Sequence, residues 1–160
     1  MGHAVSLAER IDLGSAPPLG DVLDFMRLLW AVDHALQRTS KEMETRLGVT
    51  GPQRFVLRIV GRFPGIPAGQ VAKLLHLHPS TLTGVFRRLE SQDLLRRRAD
   101  PRDGRRFLLS LTEKGRLFDV EVEGPVEAVV RGVLERTSPA RLQAARDVLQ
   151  TVAAELTERT

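Results

Sequence analysis

Cysteine, long apolar runs and a signal-peptide pattern are all missing from this chain of 160 residues, and each absence excludes a class of protein. There is no cysteine, which excludes a disulfide framework, zinc held by thiolates, iron–sulfur clusters and switches that depend on thiol oxidation. No apolar run approaches the roughly 20 residues that a membrane-spanning helix needs, and the first 20 residues lack the pattern of a secretory signal peptide. These absences predict a soluble cytoplasmic protein. The length of 160 residues and the 42% of hydrophobic residues predict that it folds as one domain.

The positive charge of the chain is concentrated in one short segment. The whole chain carries a net charge of +4, and residues 96–106 (RRRADPRDGRR) contain six arginines and two aspartates. The remaining 149 residues are therefore neutral in sum. A basic block of this length is typical either of solvated surface or of a contact with nucleic acid, and composition does not choose between them.

Helical periodicity begins at residue 21. Residues 1–20 are rich in glycine, alanine and proline and predict a loose arm. Beyond the arm, apolar residues recur at steps of three and four over about four turns, which predicts an amphipathic helix. Asp21 is the expected N-cap of this helix, and Gly48 is its expected C-terminal stop.

The next part of the chain has the pattern of a helix-turn-helix. Thr50 and Gln53 have the spacing of a capping box at the start of a second helix. Pro67 then opens a short third helix, residues 76–79 form a tight turn, and a fourth helix continues to about residue 93. Two short helices separated by a tight turn are typical of a helix-turn-helix.

A hairpin and two more helices are predicted after that motif. Residues 95–99 and 105–111 are candidate strands, joined by a turn whose proline and glycine suit a hairpin. Thr112 is the expected cap of a fifth helix, which is kinked where a Gly-Pro pair at 124–125 interrupts it. Ser138 precedes a last helix with one apolar stripe. The predicted fold class is therefore mainly α with one small β element.

Three stretches of the sequence also carry a resemblance to a known family: LGVTGPQRFVLRIV (47–60), PSTLTGVFRRLE (79–90) and DPRDGRRFLLSLTEKG (100–115). The third is the most specific, because an Asp-Pro turn, an Asp-x-Arg pair and a Leu-Thr-x-x-Gly helix start occur together at the family's spacing. Over about residues 21–157, the chain resembles the MarR family of bacterial transcriptional regulators.

The resemblance implies a winged helix-turn-helix with a β wing of two or three strands and dimerisation helices at both ends. It implies a DNA-binding lobe over 48–111 and a helical dimerisation region formed by 21–47 and 112–160. In the family, the first, fifth and sixth helices of two subunits interlock. Apolar stripes of this chain lie in the corresponding segments, at 22–36, 126–134 and 142–156. A homodimer would bind a pseudo-palindromic site with half-sites about one helical turn apart.

Two surfaces are expected to contact DNA. A major groove about 12 Å wide admits one helix, whose short polar and arginine side chains read the base edges, and the fourth helix has such a face. The resemblance implies that Arg105 at the wing tip enters the minor groove and that Asp103 orients its guanidinium. Other wing arginines are expected to neutralise phosphates or to cover apolar neighbours. The predicted DNA-binding residues are Ser80, Thr81, Thr83, Arg87, Arg88, Arg98, Arg102, Asp103 and Arg105.

Two positions depart from the family's pattern. His78 stands where relatives often have an aspartate or serine that caps the recognition helix, which predicts a weaker cap here. Asp93 stands where a glycine is common, which argues against the usual left-handed end of that helix.

The resemblance also implies a regulatory ligand, since family members commonly bind small anionic aromatic compounds between the dimerisation helices and the DNA-binding lobe. The candidate residues are Trp30, His34, Phe55 and Arg58, which combine aromatic walls with a cation. Core packing of Trp30 and Phe55, with Arg58 on the surface, is the alternative. Urate is not favoured, because residues 53–55 lack the acidic residue that urate-responsive relatives use.

No catalytic, cofactor or metal site is predicted. His76 and His78 alternate on an extended segment, but a metal site needs three or four ligands and no acidic cluster completes one. No nucleophile motif, phosphate loop or metal triad is present. The sequence therefore predicts a homodimer that binds double-stranded DNA sequence-specifically, as a repressor whose affinity a small ligand lowers. The alternative is a helical interaction module whose Arg-rich hairpin binds RNA or an acidic protein.

Overall fold

The computed structural model describes residues 17–120 and 124–158. These residues form seven helices and one antiparallel sheet of three strands, which confirms the prediction of a mainly helical chain with a small wing. Of the predicted arm, residues 17–20 are exposed and irregular, and the rest lies outside the described residues. The elements are α1 (Asp21–Leu47), α2 (Gly51–Arg62), β1 (Ile66–Pro67), α3 (Ala68–Leu75), α4 (Pro79–Ser91), β2 (Leu95–Asp100), β3 (Asp103–Leu111), α5 (Glu113–Val120), α6 (Pro125–Glu135) and α7 (Pro139–Glu158).

Helix α1 has the limits that its capping signals predict, to within one residue. Gly20 rather than Asp21 is the N-cap, and Asp21 is the first helical residue. The carboxylate of Asp24 accepts a hydrogen bond from the N–H of Leu19 at 3.3 Å, just before the helix start. At the other end, Gly48 has the left-handed conformation, with φ of 73°, and ends the helix as predicted.

Helix α2 begins with the predicted capping box. The hydroxyl of Thr50 accepts a hydrogen bond from the N–H of Gln53 at 3.3 Å, and the side chain of Gln53 accepts one from the N–H of Thr50 at 2.9 Å. The N–H of Gly51 donates to the hydroxyl of Ser40 in α1 at 2.8 Å. These bonds satisfy amides that have no partner within the helix and hold the start of α2 against α1.

The helix-turn-helix differs from the sequence prediction in detail. Pro67 is the N-cap of α3 and belongs to β1, so the helix opens one residue later than predicted. His78 caps α4, because its Nδ1 accepts a hydrogen bond from the N–H of Ser80 at 3.3 Å. Asp93 has the left-handed conformation, with φ of 56°, since aspartate tolerates that region better than most residues do. The expectation of a lost left-handed end is therefore wrong. His78 does cap α4, and the expectation that this cap is weaker than usual stays a prediction.

The sheet has the strand order β1-β3-β2, and both pairings are antiparallel. Ile66 lies opposite Leu109, and Leu95 lies opposite Leu111. Ile66, Leu95 and Leu109 are buried, so the sheet closes one side of the core. The sequence pattern does not locate β1, because two residues cannot display an alternation of apolar and polar positions.

The core lies where α2, α3 and α4 meet the sheet, and α5 packs at its border. A Cβ on Gly115 of α5 would collide with the carbonyl oxygen of Leu94, so only glycine allows this approach. The hydroxyl of Thr112 accepts a hydrogen bond from the N–H of Gly115 at 2.9 Å, which confirms the predicted cap of α5. The largest fully buried side chains include Leu57, Leu82, Leu89 and Leu109.

A new helix begins where the sequence pattern predicts a kink within one helix. Helix α5 ends at Val120 and α6 begins at Pro125. Gly124, the N-cap of α6, has an extended backbone with ψ of 153°, and its N–H donates to the carboxylate of Glu127 at 2.6 Å. Proline suits the first turn of a helix, where its missing N–H removes no helical hydrogen bond. The Gly-Pro pair therefore starts a helix, and the predicted kinked helix is wrong.

Candidate nucleic-acid interface

Helix α4 has a polar face opposite the apolar stripe that anchors it in the core. Thr83 is half-buried, and its hydroxyl donates a hydrogen bond to the carbonyl of Pro79 at 2.9 Å. A helix divided in this way is suited to lie in a major groove with its polar side toward the base edges. The other predicted DNA-binding residues of this helix are exposed, namely Ser80, Thr81, Arg87 and Arg88.

Two aspartates shape the tip of the wing. Asp100 accepts a hydrogen bond from the N–H of Arg102 at 2.9 Å, and Asp103 accepts one from the N–H of Arg105 at 3.1 Å. The second oxygen of Asp103 pairs with Nε of Arg106 at 3.2 Å. The predicted ion pair between Asp103 and the Arg105 guanidinium is wrong, because the carboxylate holds a backbone N–H and the next arginine instead. Arg102 and Arg105 are exposed.

One wing arginine ties the wing to the recognition helix. Nη2 of Arg97 in β2 pairs with Oε2 of Glu90 in α4 at 2.6 Å. The guanidinium of Arg97 also lies over the ring of Phe107 in β3, 5.6 Å from its centroid. Arg97 therefore covers an apolar neighbour, as the sequence analysis expected of some wing arginines. Arg98 beside it is exposed and forms no ion pair within the described residues.

A second group of charges, the arginine–carboxylate cluster, joins α2 to α5 and α6. It consists of Arg54, Arg58, Asp119 and Glu127. The side chain of Arg54 is only 5% exposed and donates to Oε2 of Glu127 at 3.1 Å and to the carbonyl of Phe118 at 3.0 Å. Arg58 pairs with Asp119 at 2.9 Å and, through Nε, with Oε1 of Glu127 at 3.2 Å. The end of α5 and the start of α6 are thus held by two side chains of α2.

Sequence reasoning singles out only Arg58 of this cluster. The four residues are spread from 54 to 127 along the chain, so no local motif brings them together. Two features of α2 nevertheless point to this cluster. Arg54 and Arg58 are four residues apart and share one face of α2. Gly61 lies on the same side, and a Cβ there would collide with the carboxylate of Asp119.

The cluster keeps Glu127 ionised. Burial by itself would raise the pKa of this carboxyl group. Hydrogen bonds from the N–H of Gly124 and from Arg54, together with the charges of Arg54 and Arg58, outweigh that effect and hold the pKa of Glu127 below its usual value of 4.5. Glu127 is therefore negatively charged at neutral pH and bridges the two arginines.

The predicted ligand-binding residues do not pack in the core of the single chain. Trp30 is 66% exposed and Phe55 is 57% exposed, so the alternative of core packing for these two residues is wrong. His34 is exposed as well. Arg58 is part of the arginine–carboxylate cluster, where two carboxylates already hold it. The two best-formed grooves of the described residues are lined by other side chains.

Apolar side chains remain exposed along α1, α6 and α7. Val22 in α1 is 72% exposed, Val129 in α6 is 67% exposed, and Leu156 in α7 is 61% exposed. No described residue of α6 or α7 is buried. Within the described residues, no helix has the length and apolarity needed to cross a membrane. Exposed stripes of this extent are typical of surfaces that another molecule covers.

The helix-turn-helix, the adjacent three-stranded wing and the basic exposed face define a winged helix-turn-helix DNA-binding protein. Comparison with known proteins identifies the family. A sequence profile of the MarR family matches residues 49–107. The HTH-type transcriptional repressor Rv2887 from Mycobacterium tuberculosis is 30% identical over 113 residues, which are 70% of this chain and 81% of that protein. The chain belongs to the MarR family of transcriptional regulators.

Further similarities extend over most of the chain. The organic hydroperoxide resistance transcriptional regulator of Bacillus subtilis is 29% identical over 102 residues, 62% of this chain and 69% of that protein. The structure of PcaV from Streptomyces coelicolor with its natural ligand has a TM-score of 0.65 and 25% identity, and covers 86% of this chain and 98% of PcaV. The structure of S. aureus MepR with DNA matches with a TM-score of 0.69 and 19% identity. The match covers 82% of this chain and 97% of the MepR chain. Both curated relatives are named as regulators of transcription rather than as enzymes.

Proposed function

We propose that this protein is a homodimeric repressor that binds a pseudo-palindromic operator in double-stranded DNA. The observation that carries the proposal is the ion pair between Arg97 of the wing and Glu90 of α4, which fixes the two DNA-facing elements relative to each other. With α4 and the wing joined by this ion pair, α4 can enter a major groove while the wing enters the adjacent minor groove. The name of the Mycobacterium tuberculosis relative, a repressor, supports repression.

In this proposal, α4 reads the bases. Arg87 and Arg88 are long enough to donate two hydrogen bonds to the O6 and N7 atoms of guanine. The hydroxyls of Ser80, Thr81 and Thr83 bond to base edges or to phosphates near the start of the helix. The exposure of Ser80, Thr81, Arg87 and Arg88 supports the assignment.

The wing fixes the register of α4 on the duplex. Arg105, at the tip, enters the minor groove, where a narrow segment concentrates negative potential. Asp103 contributes by holding the N–H of Arg105 and the side chain of Arg106, and so shapes the tip. Arg98 and Arg102 neutralise phosphates on either side.

The exposed apolar stripes support the assignment of DNA binding to residues 48–111 and of dimerisation to residues 21–47 and 112–160. A two-fold axis would bring the same stripes of two subunits together and cover them. Such a dimer presents two α4 helices to half-sites whose centres lie about 34 to 36 Å apart.

A small anionic aromatic effector is proposed to bind between the two regions. Trp30, His34 and Phe55 are exposed and available to form its walls. Arg58 would have to exchange a carboxylate of the cluster for the anion of the ligand. PcaV was solved with its natural ligand, which supports an effector in this fold. No catalytic step is proposed, and a regulator that binds the chromosome acts in the cytoplasm.

Arg105→Ala should weaken binding to the operator about tenfold, because one specific arginine contact contributes on the order of 1–3 kcal/mol. Folding should be unaffected, since the side chain is exposed. Fluorescence anisotropy with a labelled operator duplex measures the change, and Arg141→Ala, on exposed surface of α7, is the control. Unchanged affinity of Arg105→Ala would show that the wing has been assigned the wrong role.

The interaction module that binds RNA or an acidic protein is the competing function. The family membership does not favour it, and the same titration distinguishes the two. A repressor prefers its operator to an unrelated duplex of equal length, whereas an RNA-binding module prefers RNA of the same sequence.

A further inference from the structure

A basic groove lies between α3 and the wing, outside the surfaces assigned to DNA above except at Arg105. It has a volume of about 390 Å³, within the range of clefts that hold small ligands. On the α3 side it is lined by Gln70 and Lys73, which share one face of the helix with Gly69. On the wing side it is lined by Arg105, Arg106 and Phe107.

The charge of the basic groove is of one sign. Lys73, Arg105 and Arg106 contribute three cations, and no acidic residue lines the groove. Lys73 is exposed, and the side chain of Arg106 is 66% exposed although its Nε also pairs with Asp103. A concave surface with three cations and no carboxylate in its lining attracts anions.

The position of the basic groove indicates which anion it meets. Strand β1, directly before α3, pairs with β3 of the wing, and α3 packs against α4. When α4 occupies a major groove and the wing occupies the next minor groove, one strand of phosphates runs between them. The groove is lined by α3 and the wing, and α3 packs against α4, so this docking would bring the groove to that strand of phosphates.

We infer that the basic groove binds a phosphodiester of the operator backbone, and this inference rests on the proposed function. Lys73 and Arg106 pair with the phosphate oxygens, and the amide of Gln70 donates a third hydrogen bond. The ring of Phe107, which is 45% exposed, packs against the adjoining sugar. Phosphate contacts position a protein on DNA and carry no sequence information directly.

Lys73→Ala tests this inference. Affinity for the operator and for an unrelated duplex should fall by the same factor, about tenfold, because the contact is with the backbone. The slope of log K against log salt concentration should decrease by about one, the value expected for one lost phosphate contact. Glutamate has nearly the same shape as glutamine but places a negative charge beside the phosphate. Gln70→Glu should therefore lower the affinity for both duplexes at least as much as Lys73→Ala does.

Lys41→Ala is the matched control, since Lys41 is an exposed lysine of α1 that lies beyond the apolar stripe at 22–36 and does not line the basic groove. It should keep the affinity and the salt slope of the unaltered protein. The inference is overturned if Lys73→Ala behaves like Lys41→Ala, or if it loses affinity for the operator alone. The proposed function survives both of those results. It fails if the unaltered protein does not distinguish the operator from an unrelated duplex.

Discussion

Replacing Arg54 by leucine should lower the free energy of unfolding by about 2 kcal/mol. The Arg54 side chain is 5% exposed and donates to Glu127 and to the carbonyl of Phe118. Leucine would leave the Phe118 carbonyl without this donor, and an acceptor left unpaired where water reaches poorly costs more than the bond itself contributes. Glu127 would lose its bond to Arg54 but would keep those to the N–H of Gly124 and to Arg58. The stability lost with Arg54 should therefore greatly exceed the stability lost when an exposed ion pair is removed.

Urea denaturation measures the change, at a fixed protein concentration because dimerisation adds to apparent stability. Arg38→Leu is the matched control: Arg38 and Glu42 are each 66% exposed and 3.7 Å apart, so the loss should be within about 0.5 kcal/mol. Equal losses for the two variants would contradict the structural importance of the arginine–carboxylate cluster.

The effect of Arg54→Leu should also depend on pH. Because the folded protein lowers the pKa of Glu127, the ionised carboxylate stabilises the fold at pH values above its usual 4.5, and this contribution is lost as the pH falls through the lower folded value. The difference in free energy of unfolding between the unaltered protein and Arg54→Leu should therefore become smaller in acid. A difference that stays constant would show that packing, rather than the ion pair, accounts for the loss.

Val129→Glu should convert the proposed dimer to monomers at micromolar concentration. Val129 lies on α6 and is 67% exposed in the single chain. In a two-fold interface, the substitution would bury two unpaired carboxylates, each at a cost of several kcal/mol. The dimer dissociation constant should rise at least about 100-fold, and operator affinity should fall by roughly 100-fold or more, since two half-sites are no longer bound together.

Analytical ultracentrifugation and anisotropy titrations measure the two effects of Val129→Glu. Val129→Thr, which keeps the shape of the side chain without a charge, is the control and should remain dimeric. If Val129→Glu sediments as the same dimer and keeps its operator affinity, the subunits associate through another surface.

Local signals predicted most of the fold. The capping box of Thr50 and Gln53, the stop at Gly48 and the cap at Thr112 each depend on residues close in sequence, and the structure has all three. The Gly-Pro pair at 124–125 was misjudged because proline is compatible both with a kink and with a helix start. Only the contact of Gly124 with Glu127 decides between them.

Long-range contacts account for what sequence reasoning missed. Glu127 lies 73 residues from Arg54, so neither residue predicts the other. The pairing of Asp103 with Arg106 rather than with the Arg105 guanidinium depends on the geometry of the turn, which residue types alone do not specify. The exposed faces of α4 and the wing were predicted, because helical period and charge placement are visible in the sequence.

A symmetric dimer that recognises duplex DNA through α4 and the wing should bind two identical half-sites in inverted orientation. The most direct test is selection of bound sequences from a library of random duplexes by the full-length protein. We expect enrichment of an inverted repeat whose half-site centres lie about 10 base pairs apart, one turn of the double helix. Enrichment of a single unrepeated motif, or of no motif at all, would contradict it.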